Sequence, residues 1–136
     1  MQTSVYLARL LGPVLVLAGL AMILDPQGYV AAATGIVNSP ALLLFAAFLG
    51  VLGGTAIVLA HNVWAADWRV IITLLGWISI VDSASWILIP RQAAALWTPV
   101  LQAENFGLIA GAITLLLSAV LGYFGYFAKT PVGARA

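Results

Sequence analysis

The chain has 136 residues, of which 64% are hydrophobic and 7% charged, with a net charge of +1. A soluble domain carries about 25% charged residues, so the nine charges here cannot coat a water-facing globule; a soluble domain, a disordered chain and a nucleic-acid binder are excluded. The absence of cysteine and the single histidine, His61, remove disulfides, thiolate chemistry and a histidine-rich metal site within one chain. What remains is an all-α integral membrane protein, read as one domain over residues 1–136.

A spanning helix needs roughly 20 mostly apolar residues, and inside lipid only a helix satisfies its own backbone. Four stretches qualify: 5–24, 41–63, 70–89 and 106–127. Proline punctuates them, since it lacks an amide proton and restricts the residue before it. Asp25-Pro26 follows the first span, Ser39-Pro40 precedes the second, Pro90 follows the third and Pro131 the fourth. Pro13 falls inside the first span and predicts a kink there or a place in its opening turns. Arg9, the run 10–24 and Ala31-Ala32-Ala33 also loosely resemble a secretory signal. The apolar run is long enough to span, and it is taken as a span.

Four spans put both termini on one side. That side carries Arg9, Arg69, Lys129 and Arg135, against Arg91 on the other. Basic residues mark the cytoplasm, so the termini and the 62–69 linker are expected there, in a bacterial inner membrane. The two longer connections, 25–40 and 90–105, are apolar and predict short interfacial helices. Tyr29 and Trp97 would sit at one headgroup level, with Trp64, Trp68, Tyr123 and Tyr126 at the other.

An offset of 64 lays Leu10-Leu11-Gly12 on Leu74-Leu75-Gly76 and Leu24-Asp25-Pro26 on Leu88-Ile89-Pro90. An offset of 57 lays Gly50 and Gly54 on Gly107 and Gly111. Two tandem helical hairpins are predicted, the second with an outer connection seven residues shorter. Gly50, Gly54, Gly107 and Gly111 are the expected helix-packing residues, with Gly12 and Gly19 on the first span, because spans associate by close approach of backbones.

Asp82 is the sharpest polar feature. It lies deep in the third span, with Ser79 and Trp86 on its face, Ser83 and Ser85 beside it, and Thr114 at comparable depth on the fourth. An ionisable residue at such depth suggests a functional site. It reads either as protonated polar glue between helices or as a group that binds and releases a proton or cation. A second cluster is His61, Asn62, Trp64, Asp67, Trp68 and Arg69. Asp67 is placed to cap the third span. The cluster reads as a capped turn with tryptophan anchors, or as an interface for a partner subunit, headgroup or cofactor. Glu104 and Asn105 suit the start of the fourth span.

His61-Asn62-x-Trp64, Asp67-Trp68-Arg69, Leu75-Gly76-Trp77 and Pro90 resemble small uncharacterised bacterial four-helix inner-membrane proteins with this linker. The resemblance covers under a third of the chain and implies the architecture but no activity. The expected function is that of a small non-enzymatic membrane protein, a structural or accessory subunit of a homo-oligomer or larger membrane complex. No cofactor, metal or catalytic residue is expected, and the expected partners are membrane lipids and other membrane subunits. A small oligomeric proton- or cation-coupled transporter using Asp82 is the alternative, and a lipid- or quinone-binding protein the second.

Overall fold

A computed structural model describes residues 2–127. The expectations for Lys129, Pro131 and Arg135 lie outside the described residues. Six α-helices follow in order: α1 (Gln2–Leu24), α2 (Pro26–Val37), α3 (Pro40–Ala60), α4 (Arg69–Leu88), α5 (Pro90–Leu101) and α6 (Phe106–Gly122). A π-helical turn, Tyr123–Phe127, closes the described chain. The fold is all-α, and four of its helices (α1, α3, α4, and α6 with its π turn) are long and apolar enough to cross a membrane.

Local chemistry sets the ends of these elements. Proline opens α2, α3 and α5, where its missing amide would have been unpaired anyway. Asp25 caps α2 by accepting the Gly28 amide at 2.9 Å. α3 stops at Ala60, three residues short of the predicted 63. The His61 amide closes its last turn on the Ile57 carbonyl, and the chain then runs irregularly to Arg69.

Pro13 sits inside α1 without ending it. It cannot donate to the carbonyl four residues back, that of Arg9. The hydroxyl of Tyr126 donates there instead, at 2.9 Å. A neighbouring element thus satisfies the acceptor that proline orphans.

The pairing of the long helices differs from the predicted hairpins. α1 packs along α6 and α3 along α4, while α1 meets α4 over a shorter length. Consecutive long helices on either side of α2 or α5 are not the main partners. The offset of 64 still carries the ends of α1 and α2, Leu24 and Val37, onto those of α4 and α5, Leu88 and Leu101. The offset of 57 fails. The break after α2 is residues 38–39 and that after α5 is residues 102–105, so the second connection is longer, not shorter. Gly50 lies midway along α3, whereas Gly107 lies at the mouth of α6. Apolar helices match one another at several offsets, and that produced the false register.

The glycines do set the seams. A Cβ on Gly54 would lie 2.7 Å from the Gly76 carbonyl oxygen, and Gly50 receives the Ser83 side chain. On the other pair, Gly111 faces Met22 and Ile23, Gly107 faces Pro26, and Gly19 faces Leu115. All these approaches are within one chain.

The buried core is small. One cluster joins Leu7, Ala8, Ile72 and Leu121 near the 61–68 linker; the other joins Ala47, Trp86 and Ala93 near the short helices. Most large apolar side chains face outward, Leu59 at 83% and Leu17 at 70% exposure among them. Such an exterior suits hydrocarbon rather than water.

Candidate functional site

Three polar arrangements interrupt this apolar bundle. Two lie at the end that holds the linker, and the third lies toward the short helices.

The first centres on His61, which is 3% exposed. Its Nε2 donates to the Arg69 carbonyl at 3.2 Å, because a carbonyl can only accept. In the neutral ring Nδ1 is then left to accept the Ser4 hydroxyl, at 3.4 Å. Thr73 is fully buried and supports the same linker. Its Oγ1 accepts the Val63 amide at 3.0 Å and donates to the Val63 carbonyl, with the His61 carbonyl at 3.4 Å. These bonds replace the helical ladder where it stops at Ala60 and supply partners for otherwise orphaned backbone.

The rest of the cluster divides in two. Asp67 accepts the Arg69 amide at 2.8 Å and pairs with the Arg69 guanidinium. Hydrogen bonding from that guanidinium, then from the Arg69 backbone, holds the Asp67 carboxyl below its ordinary value. Trp64 donates its indole N–H to Asn62 at 2.8 Å, both of them exposed. Trp68 stacks on Phe124 with ring centres 5.0 Å apart. The six residues therefore do not form one interface. His61 is interior, because it spans from α1 to the start of α4, and Trp68 is held by an intramolecular stack. Asn62 and Trp64 remain available on the surface.

The second arrangement is centred on Arg9. Its Nε donates to the Gly125 carbonyl at 2.6 Å, and its guanidinium lies 5.8 Å from the centre of the Tyr126 ring. A Cβ on Gly125 would lie 3.1 Å from the Arg9 nitrogen, so glycine permits the approach. Sequence reasoning treated Arg9 as a marker of sidedness. The spacing of Pro13 from Arg9 was the available signal, since it announces an acceptor in need of a donor.

The third holds Asp82. Its carboxyl makes no hydrogen bond among the described residues, and it lines a groove of about 220 Å³ between α2, α3 and α4. Ala33, Val37, Ala46, Ser83 and Trp86 are its neighbours there. Ser79 donates across the seam to the Gly50 carbonyl at 2.9 Å. Ser83 is buried against Gly50. Ser85 bonds the Asp82 backbone carbonyl at 2.6 Å.

Thr114 does not join this group. It bonds the Ala110 carbonyl of its own helix at 2.7 Å and faces Met22 of α1. The pairing of α6 with α1, rather than with α4, separates it from Asp82.

Comparisons with protein-family models, with curated proteins and with solved structures returned no match.

Proposed function

We propose that this is an integral membrane protein without catalysis of its own, a structural or accessory subunit that assembles laterally with its own copies or within a larger membrane complex. The observation that carries this reading is the surface of α3. Of its apolar window only 11% is buried, and Ala47 and Gly54 are its buried residues. Phe45, Phe48, Leu49 and Leu52 face outward, and nothing lies within 4 Å of the place a Gly53 side chain would occupy. In lipid, helices gain little from greasiness alone and associate where small residues let backbones approach. An open glycine beside exposed phenylalanines supports such a contact. Native mass spectrometry of the full chain in lipid nanodiscs tests it. Gly53→Leu should shift an oligomer or complex toward the single chain; a chain that is single and partnerless at every concentration overturns the reading.

The same proposal places both termini and the 61–68 linker in the cytoplasm of a bacterial inner membrane, on the strength of the basic-residue asymmetry. The chain lacks cysteine, so single cysteines placed at Ala66 and Gln92 report sidedness by membrane-impermeant labelling. Labelling of both from one side would overturn the topology.

One observation favours a second reading. The Asp82 carboxyl, in a groove and without a hydrogen bond among the described residues, suits coupling to a proton or cation. Asp82→Asn in reconstituted vesicles should then abolish cation-dependent flux while leaving assembly unchanged. Equal flux from both proteins removes it.

A further inference from the structure

Beyond the assembly face, we infer a phospholipid site where α1 meets α6, with one acyl chain in a groove and the lipid phosphate on Arg9. The groove has a volume of about 450 Å³ and lies between Gly12, Pro13 and Val16 on α1 and Ser118, Gly122 and Phe127 on the opposing helix and π turn. Gly12 abuts the Gly122 backbone, its Cβ position 3.6 Å from the Gly122 Cα, and Gly122 itself opens into the groove. A Cβ on Gly122 would meet nothing within 4 Å. The wall is almost wholly carbon, because the Ser118 hydroxyl is turned to its own helix, at 2.8 Å from the Leu115 carbonyl.

Arg9 stands at the mouth. It precedes Gly12 and Pro13 by three and four residues, the spacing that stacks side chains along one helix face. Its bond to the Gly125 carbonyl and its place beside the Tyr126 ring hold it where the groove opens, since Tyr126 is also a groove residue. Arginine carries five N–H donors. Nε uses one, and the four on the terminal nitrogens have no partner among the described residues. The ion pair among those residues is the one between Asp67 and Arg69, on the linker. A planar cationic fork with free donors matches phosphate oxygens two at a time. A cation one helical turn from a carbon-lined slot thus fits an anionic phospholipid, whose phosphate and tail are joined in that order. A neutral isoprenoid tail would leave the guanidinium unused.

The test uses the full chain in mild detergent, titrated with phosphatidylglycerol or phosphatidylcholine, with bound lipids counted by native mass spectrometry. Phosphatidylglycerol should be preferred, and Arg9→Gln should weaken it roughly fivefold, to the level of phosphatidylcholine. Gly122→Leu keeps Arg9 and its bonds but fills the groove, and should reduce both lipids while the helical circular dichroism melt is unchanged. Gly53→Leu, on the assembly face, should leave lipid counts as they are. Undiminished phosphatidylglycerol in either Arg9→Gln or Gly122→Leu overturns the site, as does equal binding of the two lipids. Loss of a dimer on Gly122→Leu with unchanged lipid counts would assign the groove to a second copy and overturn it too.

Discussion

The two ends of the bundle are held by different means. At the linker end, side chains bond across elements: His61 reaches Ser4 and Arg69, Thr73 holds Val63, and Arg9 and Tyr126 lock the π turn onto α1. At the short-helix end the polar work is local, apart from the Ser79 bond to the Gly50 carbonyl nearer mid-bundle. Asp25 caps its own helix, and Ser85 bonds its own turn. That end also holds depressions of about 310, 220 and 120 Å³, lined by α2, α5 and their neighbours. The difference teaches where the fold specifies which helices pair and where it specifies only single helices. Long-range hydrogen bonds fix one arrangement of helices, whereas local caps fix a helix without fixing its neighbours.

The largest expected break is at the glycine seams. Gly54→Ala drives a methyl against the Gly76 carbonyl, which is helix backbone and cannot swing away. A loss of roughly 1–3 kcal/mol is expected in reversible unfolding in micelles. Gly107→Ala meets Pro26 at the start of the short α2, which can shift, and should cost less. Equal losses would erase the contrast between the ends. Next comes Thr73→Val, which keeps the shape and leaves the Val63 amide without its partner, at about 1–3 kcal/mol. Its counterpart at the other end, Asp25→Ala, removes a cap worth about 1 kcal/mol. Hydrogen exchange should then rise in the linker for Thr73→Val and only within α2 for Asp25→Ala.

Tyr126→Phe should cost about 0.5–1.5 kcal/mol, by removing the donor to the Arg9 carbonyl. Pairing it with Pro13→Ala sharpens the test, since alanine restores the helical donor and should make the tyrosine hydroxyl dispensable. The smallest effect concerns pH. The Asp67 carboxyl titrates below its ordinary value of 3.8 in the folded chain. Its pairing with Arg69 therefore contributes in full above that value and is lost as pH falls through the lowered one. Trp68 fluorescence should change in that acidic window alone, and Asp67→Asn should abolish the change.

Much of the fold was legible beforehand. The four long helices were given by continuous apolar runs and by proline at Pro26, Pro40 and Pro90, and their bounds differ from expectation by at most three residues. The glycines of close approach were legible for the same reason, since a missing side chain has few other uses in a lipid-facing helix. The candidate site was less so. The spacing of His61 from Gly54 turns it toward the bundle, where it is buried, but its partners Ser4 and Arg69 lie on two other helices and leave no periodic mark. Asp82 stood out as a charge in an apolar run, but its separation from Thr114 depended on which helices pair. The Arg9 site was missed because half of it is backbone carbonyl.

Hydropathy alone determined that the chain is helical, how many times it can cross an apolar layer, and where each crossing begins and ends. Each of those depends on one segment satisfying its own backbone. Only the tertiary structure decided that α1 takes α6 and α3 takes α4, that His61 bonds Ser4 and Arg69, and that Arg9 bonds the π turn. A side chain that suits lipid equally suits a neighbouring helix, so the sequence carries almost no hydrophobic contrast to say which of the two it meets.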